Sequence, residues 1–251
     1  LTGPSFVGGL VGYLVTDGLI QDSYAIGAVT GSDDFVGGLV GYAFNDSAIN
    51  GSYSIAVVVG GSGANSGGLV GYARQSATVT DCYWSTDNTT QTKGIGNAGN
   101  GGLLDYDGPD PQGLTSAQML QQSSFTGFAF VGNPPGDPVS NTPWVIIDGS
   151  TQPYLYWQDN DGDGIAAYLD AFPLNAAASV DTDGDGLPDD WNTDCGQACQ
   201  AASDLALDAD DDHDGLSDSA ETAQGSNTLL IDTDGEFTLV WDTAEQARNW
   251  S

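Results

Sequence analysis

The side chains in this sequence best suited to chemistry are carboxylates, and their spacing is regular. Asp159, Asp161 and Asp163 precede Gly164; Asp181, Asp183 and Asp185 precede Gly186; Asp210, Asp212 and Asp214 precede Gly215. Alternate carboxylates on a short loop can close around one hard cation, and the glycine permits the sharp turn that brings them together. The D-x-D-x-D-G spacing therefore predicts oxygen-ligated Ca2+. Carried to twelve positions, the second loop adds Asp189 and Asn192. The third adds Asp218 and Glu221, with the Leu216 carbonyl at position seven, and is the most complete. The first has Ala167 at position nine and Asp170 at twelve, and a partial fourth set comprises Asp232, Asp234 and Glu236 with Phe237 in the glycine position. Alternation points Asp210, Asp212 and Asp214 inward and leaves Asp211 towards solvent.

These groups belong to a chain of 251 residues with 35 acidic and 3 basic side chains, a formal net charge of -32. Only Arg74, Lys93 and Arg248 are basic, so nucleic acid or an anionic bilayer has no basic face to bind. A multivalent cation is the natural counter-charge for such a density. No apolar run is long enough to span a bilayer, so direct membrane insertion is not expected. Cys195 and Cys199 are close enough to pair locally or equally to remain free.

Twelve acidic residues fall before Trp157 and twenty-three from Asp159 onward, which places a boundary there. We expect a folded unit over 1–157, an acidic calcium-binding region over 158–236, and a terminal strand or helix tail over 237–251. Within the acidic region Phe172, Leu187, Trp191, Leu205, Leu207 and Leu216 are the expected buried anchors. Short helices are expected at 195–203 and 217–224, the second capped by Ser217.

The part that must stand on its own core is repetitive. GGLVGY occurs at 8–13, 37–42 and 67–72, and a second element keeps phase with it at Ile20 to Tyr24, Ile49 to Tyr53 and Val79 to Tyr83. Short β-prone runs at a period of 29 to 30 residues cannot bury their own apolar faces and must stack on one another. The prediction is an all-β parallel β-helix or β-solenoid with coils about 4.8 Å apart, followed by irregular acidic loops with short helices. Leu10, Leu39 and Leu69 would form an interior file and Tyr13, Tyr42 and Tyr72 a second. The paired glycines answer either to contact with the adjoining coil or to a backbone angle that only glycine tolerates cheaply. Thr115 and Gln118 fit a capping box that would lay Met119 over the open core.

The repeated GGLVGY with I-x-x-S-Y resembles the GLUG repeat of large bacterial surface and secreted proteins. The stretches Cys82 to Gly94, Gly113 to Met119 and Trp144 to Leu155 resemble the segment that closes such arrays. Two departures occur at Gly51, where the other copies have Asp22 and Asp81, and at Cys82, where they have Ser23 and Ser52. The acidic series resembles thrombospondin type 3 repeats, which implies Ca2+ ligands at the alternate aspartates named above. It also implies an extracellular or cell-surface location.

Other chemistry is poorly provided for. His213, the single histidine, lies at the variable fourth position of the third loop, and G94-I-G-N-A-G99 lacks the βαβ setting of a dinucleotide site. We therefore expect a non-enzymatic structural or adhesive segment of a bacterial surface protein, with calcium ions as ligand and a surface polysaccharide or a host or neighbouring protein as contact. The opening residues repeat the last part of a coil, which suggests an array that continues, or copies that stack head to tail as a homo-oligomer or filament. A carbohydrate-binding module using Tyr24, Tyr53, Tyr83 and Trp84 as a platform is the alternative. A polysaccharide hydrolase or lyase using Asp22, Asp46 and Asp81 ranks below it.

Overall fold

The computed structural model describes residues 1–60, 65–97, 106, 108–131 and 143–231. Two compact units result, one ending at Leu155 and the other starting at Tyr156. The expected tail over 237–251 lies outside the described residues.

The first unit is a β-solenoid of about three turns. One coil runs through Val7–Gly8, Val11–Val15, Leu19–Gln21, Tyr24–Ala25 and Ala28–Gly31. The next runs through Val36–Gly37, Val40–Phe44, Ala48–Asn50, Tyr53–Ser54 and Val57–Val59, and the third through Ser66–Gly67, Val70–Arg74, Thr78–Thr80 and Tyr83–Ser85. Ile95–Asn97 and Gln112–Leu114 extend two of the faces. Every pairing between coils is parallel, and equivalent residues lie in register: Tyr13 on Tyr42 on Tyr72, Ile20 on Ile49 on Val79, and Tyr24 on Tyr53 on Tyr83.

The interior holds Leu39, Val40, Ala43, Ile49, Leu69, Val70, Ala73 and Val79. Leu39 and Leu69 are fully buried, but Leu10 is 51% exposed, because among the described residues no coil lies over its own. Ala25, Ser54 and Trp84 share one register position. The growth in size from Ala25 to Trp84 fills the core's far end, where Tyr106 joins the same cluster. Met119 does not lie over that end. It belongs to a second cluster with Phe125, Phe128, Trp144 and Ile146, packed on the outward tyrosine file of Tyr53 and Tyr83. Thr115 and Gln118 do exchange the reciprocal hydrogen bonds of a capping box, each backbone N–H donating to the other's side chain. Tyr53 donates its hydroxyl proton to the Pro153 carbonyl and Tyr83 to that of Thr126, so both burials leave their polar ends satisfied.

The glycine pair is explained by contact rather than by backbone angle. A Cβ on Gly37 would lie 2.6 Å from the Gly71 nitrogen and 2.8 Å from the Leu69 oxygen, and one on Gly38 would strike the Gly68 carbonyl. Asp22, Gly51 and Asp81 have φ of 46°, 54° and 48°. That left-handed turn, which Asp and Gly both tolerate, accounts for the exchange of one for the other. Cys82 likewise repeats the role of Ser23 and Ser52: each side chain donates to the carbonyl two residues earlier.

The second unit carries two helices, Gln197–Ala202 and Asp218–Gln224, and a disulfide between Cys195 and Cys199. Ser217 is the N-cap residue of the second helix but makes no side-chain cap bond, and Gly225 closes that helix at φ 85°. The expected apolar anchors are not buried. Phe172, Trp191, Leu205 and Leu216 are partly covered, while Leu187 and Leu207 are exposed. Ala167, Ala177, Ala178 and Cys195 are buried instead, together with Asp170, Asp189, Asp211, Asp212 and Glu221. Small residues allow the loops to close around carboxylates, and large apolar ones would hold them apart.

Two outcomes follow for the solenoid. Gly37→Ala should cost about 1–3 kcal/mol through overpacking, seen as a lower thermal midpoint by circular dichroism. Burial pushes the Cys82 thiol up to about 12, and burial together with the Tyr24 charge raises Tyr53 well above its usual value. Both groups fold neutral, so above about pH 9 the unfolded chain binds fewer protons than the folded one. The urea midpoint should hold steady below that pH and fall as pH rises through the folded values.

Candidate functional site

Each acidic loop is built by its own carboxylates. In the first two, the position-one aspartate accepts from the backbone N–H groups of positions four and six: Asp159 from Gly162 and Gly164, Asp181 from Gly184 and Gly186. Asp210 accepts from Gly215 in the third. The position-three carboxylate braces position five and the position-five carboxylate braces position seven in all three loops. The chain turns through left-handed residues at positions four and six, which are Gly162 and Gly164, Gly184 and Gly186, and His213 and Gly215. Aspartates at alternate positions thus fold the loop; those at position one of the first two loops use both oxygens, whereas Asp161 Oδ2, Asp210 Oδ1 and Asp212 Oδ2 stay unpartnered.

Asp159, Asp161 and Asp163 converge, as do Asp210, Asp212 and Asp214, with one oxygen from each residue within 4.8 Å of the others. In the second loop the converging atoms are those of Asp183, Asp185 and His213. The ninth-position carboxylates tie the second residue of their own loops. Asp189 accepts from the Thr182 N–H and hydroxyl, and Asp218 accepts from the Asp211 N–H. Asn192 departs from its expected loop by donating its amide to Asp163 Oδ2 of the first. The Leu216 backbone is held by Asp214. Asp232, Asp234 and Glu236 lie outside the described residues.

The third loop fits a calcium ion best. Glu221 is fully buried, and its Oε2 has no hydrogen-bond partner; Asp210 Oδ1 and Asp212 Oδ2 are likewise buried without partners. Orphaned anionic oxygens at this depth are costly unless a cation meets them. Desolvation raises the Glu221 carboxyl, with the Asp212, Asp214 and Asp218 charges adding to it, and raises that of Asp212 for similar reasons. In the first loop Asp161 Oδ2 is also buried and unpartnered. Burial, then the charges of Asp161, Asp163 and Asp159, push the Asp170 carboxyl up to about 7 against the Phe172 N–H that stabilises its anion. In the first and third loops a proton or a cation on these carboxyls would relieve that cost.

Asp211 overturns the simple alternation. It is buried, with Oδ1 unpartnered, and desolvation plus the Asp218, Asp189, Asp208 and Asp190 charges raise its carboxyl to about 7. The side of the third loop facing away from its own cluster meets the second loop rather than water. The proposed sugar platform also fails on position: Tyr53, Tyr83 and Trp84 are buried, and Tyr24 stacks on Tyr53 at 5.2 Å. On another flank of the solenoid Phe6 and Tyr13 are exposed, and Phe35, Tyr42, Phe44 and Tyr72 are partly covered. Tyr13, Tyr42 and Tyr72 stack on one another at 5.0 and 5.1 Å, which spends on neighbouring rings the faces a sugar would need. Asp22, Asp46 and Asp81 all occupy left-handed turn positions.

Residues 3–30 match the family model of the GLUG motif. No curated protein and no solved structure matches the chain.

Glu221→Gln should act in opposite directions with and without calcium. Removing an uncompensated buried charge should raise the thermal midpoint of the acidic unit in EDTA, while loss of an anionic ligand should weaken Ca2+ binding by at least about tenfold. Calorimetric titration and melting in both conditions read the two signs.

Proposed function

We propose that the chain is a non-enzymatic structural or adhesive segment working at or outside the bacterial cell surface, with Ca2+ ordering its acidic unit. The GLUG motif and the solenoid fit a stiff spacer or contact surface. The calcium assignment is carried by the third loop, where three carboxylates converge beside a fully buried glutamate whose oxygen has no partner. Loops of this type take Ca2+ through carboxylates at alternate positions and a carboxylate at the twelfth, which Asp210, Asp212, Asp214 and Glu221 supply, with the Leu216 carbonyl at the seventh. When bound, the ion would cancel the mutual repulsion that otherwise opposes closure. The Cys195–Cys199 disulfide suits an oxidising compartment, where calcium is also abundant.

The contact surface is the solenoid flank, with a surface polysaccharide or a neighbouring protein as partner.

Binding to the native state alone raises its stability by mass action, so calcium should protect the acidic unit selectively. Limited proteolysis in EDTA should cut within 159–231 and leave the solenoid intact, and saturating calcium should suppress those cuts. The same cleavage pattern in both conditions would sink the proposal.

A further inference from the structure

His213 is the one histidine of the chain, and it stands at the loop position that Gly162 and Gly184 fill in the other two loops. Its Nδ1 lies 3.2 Å from Asp183 Oδ2, and Asp185 supplies a third donor within 4.8 Å. This brings an imidazole of the third loop onto the carboxylates of the second. The three side chains line a cleft of about 770 Å3, together with Asp212, which is 3% exposed and whose Oδ2 has no hydrogen-bond partner.

We propose that Asp183, Asp185 and His213 bind a borderline divalent transition metal of the Zn2+ class, a different chemistry from the all-oxygen sets of the first and third loops. Calcium selects oxygen, and an imidazole nitrogen adds little to its coordination; Zn2+ takes imidazole nitrogen and carboxylate oxygen together. With Zn–N and Zn–O bonds of about 2.1 Å, two ligands at a near-tetrahedral angle stand about 3.4 Å apart, close to the 3.2 Å separation of His213 and Asp183. Three protein ligands leave a fourth position for water or for a donor from a partner. The bound ion ties the second loop to the third through side chains 28 to 30 residues apart in sequence. The proposal rests on the reading of this unit as metal-binding, but its ligand set and its ion are its own.

The single histidine makes the test direct, because its imidazole signals need no assignment. We expect the untagged full chain, already saturated with Ca2+, to take up one Zn2+ with a shift of the imidazole nitrogen resonances at stoichiometric metal. His213→Ala should lower Zn2+ affinity at least about tenfold, since even groups outside the ligand shell cost that much. Asp183→Asn should also weaken zinc binding, with a native circular dichroism spectrum confirming the fold. Imidazole signals that ignore saturating Zn2+, or equal zinc affinity in His213→Ala, would overturn the proposal and leave only an imidazole–carboxylate hydrogen bond. A calcium-insensitive cleavage pattern alongside a zinc-dependent imidazole shift would instead remove the calcium reading and keep this one.

Discussion

In-register parallel stacking makes each side chain the neighbour of its own copy, and that constraint shapes the solenoid. A residue can occupy a laddered position only if it tolerates itself at about 4.8 Å. Tyrosine does so by ring stacking, glycine by leaving room, serine by bonding to its local backbone. Carboxylates directly opposite one another repel, and where Asp17 and Asp46 do fall at equivalent places they sit in a turn. None of the solenoid's strands among the described residues contains an aspartate or a glutamate, and the acids of the repeat lie in its turns. Arg74, the charged strand residue, stacks on Phe44 rather than on a charge.

The same repulsion is handled in the opposite way by the second unit. There the carboxylates are gathered, and the loops are folded by hydrogen bonds from backbone N–H groups to the very groups that repel. Each such bond favours the anion, which is why the Asp159 carboxyl is held low by Gly162 and Gly164. Asp170, Asp211 and Glu221 go the other way, because burial outweighs the donors available to them. A unit whose interior is small residues and carboxylates has little hydrophobic stabilisation to draw on.

The solenoid spends its aromatic residues on two surfaces with different fates. The file of Tyr24, Tyr53 and Tyr83 is covered by Phe125, Phe128 and Trp144, which closes the flank and turns a candidate binding platform into core. The file of Tyr13, Tyr42 and Tyr72 stays partly open, with burial first and the neighbouring tyrosines next raising the Tyr42 hydroxyl against the opposing Arg74 charge. A surface that stiffens by stacking on itself suits a spacer, since the rings that could grip a ligand already grip one another.

The sequence by itself determined the solenoid, because a 29- to 30-residue period with glycine pairs in phase has few other ways to bury Leu39, Ile49 and Leu69. It also determined which aspartates converge in the first and third loops, since alternation and a following glycine are local properties. Tertiary structure alone decided the rest. Which way the Tyr53 file faces depends on the segment packed against it from 60 to 100 residues away. Asp211 is buried because the second loop's carboxylates lie beside it, which strand-like alternation within one loop cannot register. His213 meets Asp183 across two loops, and the one trace of this in the sequence was a histidine at a turn position where the sister loops have glycine. Local spacing fixes which atoms a loop can offer; contacts between distant segments fix what those atoms meet.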